Sequence, residues 1–428
     1  MRFGIQSWGS EGDNRPLLAL AGGLSSAGHT VDLVVSSIEG LDYSEYADRK
    51  GIRLRQTDSL NYSPGELESL GKKAISYRNS LSQFRFVLDH LFNPLIEDIW
   101  RESRSLCEVS DAVIGHFVVY PLSIAAEASG LPHITVTTTP SIIPSAYLRH
   151  PGIPWMGKKL NSLIWKSGSI LINRILRDDV SRMRKSEGLS IPKNNAFSFM
   201  TESRLLNLIQ ASPELVTPAP DWGSHNRLCG SLRLSGDVAA EALPAEIEEY
   251  LESGPPPLFI TFGSMMLFEP FKSETIELAA SAARDAGFRA IIQYESKPPP
   301  DVTSDPGILL VRRIPHEMVF QRCSGIVHHG GAGTSHTAAR SGVPSIVVMF
   351  GVDQFYWGPL LVRKGTAVSA IPRRVLTRQK LADAMNELRN NPSYKKASEE
   401  IAGRMRTEDG VGRAVEIIEE AMRDGYSS

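Results

Sequence analysis

The chain has 428 residues, which is too long for a single ordinary hydrophobic core. Its length therefore predicts two domains with a cleft between them. Its 46 Lys and Arg residues against 48 Asp and Glu give a net charge of −2, which excludes the electrostatic attraction that nucleic-acid binding needs. Cys107, Cys229 and Cys323 have neither metal-ligand spacing nor a paired disulfide pattern, so we expect buried thiols in a reducing compartment.

In the N-terminal half, apolar runs of strand length alternate with helical patterns. The predicted strands cover residues 3–7, 31–36, 112–114 and 134–137, and the predicted helices cover 16–27 and 122–129. Gly28 and Gly130 mark the helix ends. The alternation predicts a doubly wound parallel sheet.

A basic amphipathic segment follows at residues 155–176. Its apolar members are Trp155, Met156, Leu160, Leu163, Ile164, Trp165, Ile170, Leu171 and Leu176, interspersed with Lys158, Lys159, Lys166 and Arg174. Such a segment either lies on a membrane surface or packs its apolar stripe over the cleft. Because the sequence has no signal-peptide pattern and no run of about 18 apolar residues, we expect a soluble cytoplasmic protein, with peripheral membrane contact as the alternative.

The domain boundary is predicted where periodicity is lost. Residues 217–245 carry Pro218, Pro220 and Gly236 and show no sustained strand or helix pattern. We therefore divide the chain into a first domain at 1–217, a linker at 218–240, a second domain at 241–406 and a terminal helix at 407–428.

The second half repeats the strand–helix alternation. Predicted strands cover residues 258–262, 289–293 and 308–311, and a helix at 274–286 is ended by Gly287. Near the end of the chain, Val411, Ala414, Val415, Ile418 and Met422 mark one face of a helix. A second Rossmann-like sheet is the expected result.

A glycine-rich unit at residues 326–334 is the strongest chemical signal. It predicts a short strand, a tight turn and a helix that begins at Thr334 and ends at Gly342, followed by a strand at 345–349. The turn presents backbone N–H groups and the positive end of a helix, which suit a diphosphate. Asp353 and Gln354 follow the second strand and reach the same sheet edge.

These residues carry a family resemblance. The run His328-His-Gly-Gly-Ala-Gly-Thr334, with Phe350-Gly-Val-Asp-Gln-Phe-Tyr-Trp357, resembles the donor signature of the UDP-glycosyltransferases (glycosyltransferase family 1), and is most similar to sterol glucosyltransferases and bacterial antibiotic glycosyltransferases. Gly9-Ser-Glu-Gly-Asp13, Thr261-Phe-Gly-Ser264 and Pro315-His316 agree with it. The resemblance implies the GT-B fold, in which two Rossmann-like doubly wound domains face each other across a cleft. The first would bind the acceptor and the second the donor, and the terminal helix would cross back to the first.

Two side chains are candidates for the catalytic base. Asp13 matches the aspartate proposed as base in the antibiotic-glycosyltransferase relatives, although an Asp ahead of Pro16 can also cap a helix. His116 follows the strand at 112–114 and is a rival base, a core histidine, or a residue bordering the acceptor pocket.

The resemblance also assigns the donor site. His329 would contact donor phosphate, aided by the turn at Gly331, Ala332, Gly333 and Thr334, while Asp353 and Gln354 would bind sugar hydroxyls. The other donor candidates are Gly263 and Ser264 at the phosphates and Arg313 with Ile314 at the nucleoside. We expect no metal, because no Asp-x-Asp spacing occurs, and no cofactor besides the nucleotide sugar as co-substrate. Where plant-type relatives carry a ribose-binding glutamate, this chain has Thr337.

The acceptor is specified only as lipophilic. Regions 60–95 and 141–176 should form its wall, with Tyr77, His90, Tyr147 and Trp155 as candidate contacts. The resulting hypothesis is an inverting, metal-independent transferase that moves a hexose, glucose from UDP-glucose, to a hydroxyl of a sterol, polyketide or aromatic aglycone. The alternatives are a GT-B sugar-nucleotide epimerase and a catalytically inactive nucleotide-sugar-binding protein. A dehydrogenase is weaker, because Gly9 and Gly12 do not form Gly-x-Gly-x-x-Gly.

Overall fold

The computed structural model describes residues 1–57, 60, 62–77, 80–153, 155–191, 196–201, 203, 205–234, 243–263, 272–294 and 305–425. Contacts divide the chain into two compact units. The first comprises Met1–Asn61, Phe84–Leu234 and Asp409–Ser428, and the second comprises Tyr62–Gln83 and Ser235–Glu408. Residues 62–83 therefore group with the second unit, whereas the sequence analysis assigned them to the first domain.

The first unit is built on a parallel sheet. Among its described residues the strands are β1 (Arg2–Gly9), β2 (Thr30–Ser37), β3 (Arg53–Gln56), β4 (Ala112–His116), β5 (His133–Thr137), β6 (Leu206–Ile209) and β7 (Asn226–Leu228), in the spatial order β3-β2-β1-β4-β5-β6-β7. The order reverses between β1 and β4, whose register pairs Gln6 with Gly115. Parallel sheets bind ligands at the carboxyl ends of strands at such a switch point.

The helices of the N-terminal half belong to both units, because residues 62–83 are part of the second. In chain order they are α1 (Glu11–Ser26), α2 (Ser44–Lys50), α3 (Pro64–Ser76), α4 (Ser80–Val87), α5 (Ile96–Val109), α6 (Tyr120–Ser129), α7 (Lys158–Ser186) and α8 (Ser198–Thr201). A π-helical turn, Leu88–Phe92, and a 3-10 turn, Asn93–Leu95, join α4 to α5.

The second unit contains another parallel sheet. Its described strands are β8 (Leu258–Thr261), β9 (Ala290–Gln293), β10 (Ile308–Val311), β11 (Gly325–His328), β12 (Ser345–Met349) and β13 (Ala367–Pro372), in the order β10-β9-β8-β11-β12-β13. The remaining helices are α9 (Ala245–Glu252), α10 (Lys272–Asp285), α11 (His316–Val319), α12 (Ala332–Ser341), α13 (Gln354–Arg363), α14 (Arg378–Asn390), α15 (Ser393–Met405) and α16 (Gly410–Gly425). The switch point lies between β8 and β11, where Thr261 pairs with His328.

Two helix starts differ from the sequence expectation. Helix α1 begins at Glu11, five residues before Pro16, because the carboxylate of Asp13 reaches back to Ser10 in a capping box. Helix α12 begins at Ala332 instead of Thr334, directly after the glycine turn. Its end at Gly342 is as predicted, with Gly342 in the left-handed conformation at φ 77°.

Helix α16 packs within the first unit. Its residues Val415 and Ile418 are buried in the core cluster that contains Leu17 and Leu20 of α1. A Cβ placed on Gly23 of α1 would overlap the side chain of Val411, so a glycine is needed where the two helices touch. In the part of the chain that the structure describes, no helix is both long and apolar enough to span a bilayer.

Candidate active site

Asp13 and His116 lie next to each other at the switch point of the first sheet. His116 is the last residue of β4, and Asp13 belongs to the first turn of α1, which follows β1. Oδ2 of Asp13 accepts hydrogen bonds from the backbone N–H and the hydroxyl of Ser10, both at 2.9 Å. Oδ1 of Asp13 lies 3.7 Å from Nε2 of His116. Both candidate bases are therefore in one place, and the alternative role of Asp13 as a helix cap is also present.

The imidazole of His116 is buried and lacks hydrogen bonds. It is only 2% exposed, and neither ring nitrogen has a hydrogen-bond partner among the described residues. Burial lowers its pKa, and the nearby carboxylate of Asp13 offsets only part of this effect. Since 3.7 Å is too long for a hydrogen bond, the pair retains unused hydrogen-bonding capacity.

An aromatic cluster that the sequence analysis missed lies at the same sheet edge. The ring of Phe92 contacts Trp8, at 5.1 Å between centroids, and Tyr120, at 5.6 Å. Trp8 is near the end of β1, and Tyr120 begins α6 four residues after His116. The indole N–H of Trp8 and the hydroxyl of Tyr120 are buried, and neither has a hydrogen-bond partner within the described part of the chain. The side chains of Trp8, Phe92 and Tyr120 are only 4%, 0% and 1% exposed, so the cluster is part of the core behind the sheet edge.

Of the four predicted acceptor residues, His90, Tyr147 and Trp155 belong to the first unit. His90 stacks on Phe86 in the π-helical region, at 4.1 Å between rings. Tyr147 and Trp155 are 41% and 46% exposed, and Lys158 Nζ lies 4.0 Å from the centre of the Tyr147 ring. Tyr77 follows α3 and belongs to the second unit.

In the second unit, the glycine turn presents an uncapped helix start. Gly330 adopts φ +85°, a conformation that side chains rarely take, and Gly331 is the N-cap of α12 with no side-chain cap. The N–H groups of Ala332, Gly333 and Thr334 precede the first hydrogen bond of the helix, in which the N–H of Ser335 donates to the carbonyl of Gly331 at 2.9 Å. Such a start suits an anionic group.

Two glycines make room for the His329 ring. A Cβ on Gly263 would lie 2.7 Å from Cε1 of His329, and one on Gly331 would overlap its Nε2. Gly263 also has φ +55°. Burial lowers the pKa of His329 to about 4, so its imidazole is neutral near pH 7 and can offer a single N–H to a ligand. Ser264, the partner predicted for Gly263, lies outside the described residues.

Polar side chains at the carboxyl ends of β8, β9 and β11 form hydrogen bonds, one of which holds the glycine turn. Nδ1 of His328 accepts from the backbone N–H of Gly330 at 3.1 Å, and burial lowers the pKa of His328 to about 3. Oε1 of Gln293 lies 2.8 Å from Nε2 of His316 and accepts from the hydroxyl of Thr261 at 3.3 Å. Thr261 was noted only as the start of a motif and Gln293 was missed, although a polar residue at the carboxyl end of a buried strand was the available signal.

The Asp353–Gln354 pair sits at the start of α13. Oε1 of Gln354 accepts from the backbone N–H groups of Phe350 at 2.7 Å and Gly351 at 3.2 Å. The oxygen of this amide is therefore already engaged in its own turn, and the contact of Gln354 with sugar hydroxyls stays a prediction. Asp353 is the half-buried N-cap of the helix.

A strained residue precedes this pair. Val352 has φ +46°, and among the described residues no other non-glycine has a positive φ. Its N–H donates to Oε1 of Gln83 at 3.3 Å, and the Gln83 amide lies against Gly351, where a Cβ would come within 2.7 Å of it. Gln83 was not predicted, and nothing in its sequence surroundings indicates this contact.

The two residues predicted at the nucleoside differ in exposure. Arg313 is exposed, whereas the side chain of Ile314 packs in a core cluster with Phe259 and Phe320. A side-chain role for Ile314 at the donor is therefore replaced by a packing role. The hydroxyl of Thr337 donates to the carbonyl of Gly333 within α12, at 3.1 Å.

The chain is similar to known glycosyltransferases over nearly its whole length. Residues 277–420 match the family model described as erythromycin biosynthesis protein CIII-like, C-terminal domain. The chain is 29% identical to the sterol 3-beta-glucosyltransferase UGT80A2 of Arabidopsis thaliana, and the alignment covers 96% of this chain but only 64% of that protein. It is 27% identical to the uncharacterized glycosyltransferase ML2348 of Mycobacterium leprae (strain TN), with 98% and 97% covered.

A solved structure gives the same picture of the fold. The glycosyltransferase VinC in complex with DTDP superposes with a TM-score of 0.63 at 20% identity, covering 99% of this chain and 100% of that one. With the two parallel sheets, these relationships show the GT-B fold, and the glycine-turn motif and the relatives show that the chain is similar to the glycosyltransferases of family 1.

Proposed function

We propose that the protein is an inverting, metal-independent glycosyltransferase that moves glucose from UDP-glucose to a hydroxyl of a lipophilic acceptor. The observation that carries this proposal is the His329 imidazole, fitted against Gly263 and Gly331 at the uncapped start of α12. This arrangement places one neutral N–H donor beside a helix N-terminus, where the diphosphate of a sugar nucleotide would bind.

On the donor side, charge stabilisation is assigned to the chain itself. The N–H groups at the start of α12 and the N–H of His329 stabilise the negative charge that develops on the departing diphosphate. Metal independence is part of the proposal, because these donors can act without a cation. Asp353 and the amide nitrogen of Gln354 bind hydroxyls of the sugar, and Arg313 stacks on the base.

On the acceptor side, Asp13 is the proposed base. Its side chain is 34% exposed, whereas that of His116 is 2% exposed, so Oδ1 of Asp13 is the more accessible acceptor for a hydroxyl proton. The neighbouring His116 borders the site, with Nε2 at 3.7 Å from the carboxylate. Trp8, Phe92 and Tyr120 pack together in the core behind this site and support it.

The choice of donor and acceptor follows the relatives. Sterol 3-beta-glucosyltransferases are similar to this chain over nearly its whole length, which supports glucose as the sugar and a sterol-like aglycone as the acceptor.

Calorimetric titration with UDP, TDP, ADP and UDP-glucose in EDTA tests the donor half. Metal-free binding that prefers UDP is expected, and absence of binding to every nucleotide, with and without Mg²⁺, would overturn the proposal. Incubation with UDP-glucose and a panel of sterols and polyphenols, read by mass shift, tests transfer. A sugar altered in the absence of acceptor would indicate the epimerase instead.

A further inference from the structure

The surface of α7 stands out first by its charge. Residues 128–177 contain no Asp or Glu, although the chain has 48 acidic residues among 428, so this stretch would hold five or six at the average density. It does contain six cations. They are Arg149, Lys158, Lys159, Lys166, Arg174 and Arg177. The local charge is strongly positive in a chain whose net charge is −2.

Exposed apolar side chains concentrate in the same stretch. Among the described residues, thirteen large apolar side chains are exposed, and seven of them lie between residues 147 and 171. The most exposed are Leu163 at 56%, Met156 at 52% and Ile170 at 52%. Single exposed apolar residues are ordinary, but a cluster indicates a binding surface.

The apolar and basic side chains share one face of the helix. Helix α7 buries Asn161, Trp165, Leu176, Val180 and Met183. The exposed positions Lys159, Leu163, Lys166, Ile170, Arg174 and Arg177 follow one another at steps of three or four residues. This spacing forms a continuous stripe.

The loop before the helix is held in place. The amide nitrogen of Asn161 donates to the carbonyls of Ser145 at 2.7 Å and Leu148 at 2.6 Å. Asp221 in turn accepts from the hydroxyl of Ser145 and the N–H of Ala146, both at 2.7 Å. Trp155 and Met156 are therefore exposed next to an anchored loop and directly before the stripe.

We propose that this surface binds an anionic lipid bilayer. Its apolar members are Trp155, Met156, Leu160, Leu163, Ile170 and Leu171, and its cations are Lys158, Lys159, Lys166 and Arg174. Long basic side chains beside apolar ones match the boundary between anionic headgroups and acyl chains. Each Lys or Arg near such a surface adds electrostatic attraction. The proposal does not depend on glycosyl transfer, and its test needs neither donor nor acceptor.

Vesicle flotation with the full chain is the direct test. Binding is expected to phosphatidylcholine vesicles that contain about 30% phosphatidylserine, to weaken with added salt, and to be much lower with phosphatidylcholine alone. Failure to float with the anionic vesicles at low salt would overturn the proposal.

Two double variants separate charge from apolar contact. Lys159→Glu with Lys166→Glu should weaken partitioning roughly tenfold or more, and Leu163→Ser with Ile170→Ser should weaken it at both salt concentrations. The matched controls are Lys380→Glu with Lys396→Glu, which makes the same change in net charge, and Val109→Ser with Val375→Ser, which removes exposed apolar side chains elsewhere. An equal loss of vesicle binding in the control variants would contradict a specific lipid-binding surface on α7.

A second copy of the chain is the competing occupant of this surface. Sedimentation at rising protein concentration distinguishes it. The lipid proposal would be overturned if the protein does not float with vesicles but forms a dimer, and if the double variant Leu163→Ser with Ile170→Ser abolishes that dimer. The surface would then be assigned to self-association. All these positions are exposed, so thermal melting should be unchanged and a folding defect can be recognised.

Discussion

One carboxylate oxygen of Asp13 lies 3.7 Å from Nε2 of His116, while the other is held by the backbone and hydroxyl of Ser10. The helix cap therefore orients the side chain that we propose as the base. Any substitution at Asp13 alters both the start of α1 and the site, so the two effects must be measured separately.

Asp13→Asn should lower kcat by about 100-fold or more, which is the usual range for loss of a general base. Donor affinity should be unchanged, because the donor residues belong to the second unit. Ser10→Ala is the matched control, since it removes one cap hydrogen bond and leaves the carboxylate. Thermal melting of both variants measures the cap, and steady-state kinetics measure the chemistry. Full activity in Asp13→Asn would remove Asp13 as the base.

His116→Asn should reduce kcat less than Asp13→Asn does, because the buried imidazole borders the carboxylate without taking the proton. The distinguishing measurement is the pH profile of kcat/KM. Burial lowers the pKa of His116, so a histidine base would give an acidic limb below about 6.5 that disappears in His116→Asn. We expect this variant to keep the acidic limb of the parent enzyme, and its disappearance would assign the base to His116.

Gly331→Ala should weaken UDP binding, because the added methyl group would overlap the His329 ring and displace it. The control is Gly403→Ala. Gly403 lies in α15 with no atom within 4 Å of the added Cβ, so this variant should be stabilised by up to about 1 kcal/mol. Calorimetry with UDP measures the first effect and thermal melting the second. Unchanged UDP affinity in Gly331→Ala would contradict the placement of the diphosphate.

The second unit should lose stability in mild acid. His336 is buried against Trp357 and donates from Nδ1 to the carbonyl of Ala332, and its pKa is lowered to about 4. Its ordinary pKa is near 6.5, so the unfolded chain binds the proton more tightly. The stability that His336 contributes is complete above pH 6.5 and is lost as the pH falls through about 4.

His336→Gln should remove part of this acid sensitivity. Between pH 7 and pH 4.5 the parent should lose about 2 to 3 kcal/mol more than the variant does, because each pKa unit corresponds to about 1.4 kcal/mol. Urea unfolding at the two pH values provides the comparison. An equal loss in both proteins would show that His336 is protonated as easily in the folded chain as in the unfolded one.

Gln83→Met should weaken binding of the sugar nucleotide indirectly, through the turn at Val352. It keeps the size of the side chain but removes the oxygen that accepts the Val352 N–H, so the strained turn before Asp353 loses its partner. We expect a several-fold rise in KM for the sugar nucleotide and little change in UDP affinity, because Asp353 is assigned to the sugar. Lys72→Met, on the neighbouring helix α3, is the control. Equal changes for UDP and UDP-glucose would contradict this division.

Regular patterns in the sequence predicted the strands and helices well. They predicted the hydrogen bonds of the candidate site less well. The strand at Ile308–Val311 and the helix end at Gly342 follow from apolar runs and glycine, which act over a few residues. The sequence also placed Asp13 and His116 at one sheet edge. Which oxygen of Asp13 is free depends on Ser10, and the loss of the Gln354 oxygen to its own turn depends on backbone geometry.

Contacts between distant parts of the chain were not predictable from one sequence. Phe92 reaches both Trp8 and Tyr120 although it is separated from them by 84 and 28 residues, and Gln83 reaches Val352 across 269. No local pattern encodes such pairings. They require knowing where the π-helical turn and α4 pack.

The packing of α16 against α1 sets an order for folding during synthesis. Gly23 is made early, but its partner Val411 is translated nearly four hundred residues later, after the whole second unit. On the ribosome the second unit can fold once residues 235–408 have been synthesised. The face of α1 that will pack against α16 is still exposed to water at that point. Such transiently exposed apolar surface is a usual site for chaperone binding or aggregation. The first unit contains the start of the chain, but its hydrophobic core is completed last.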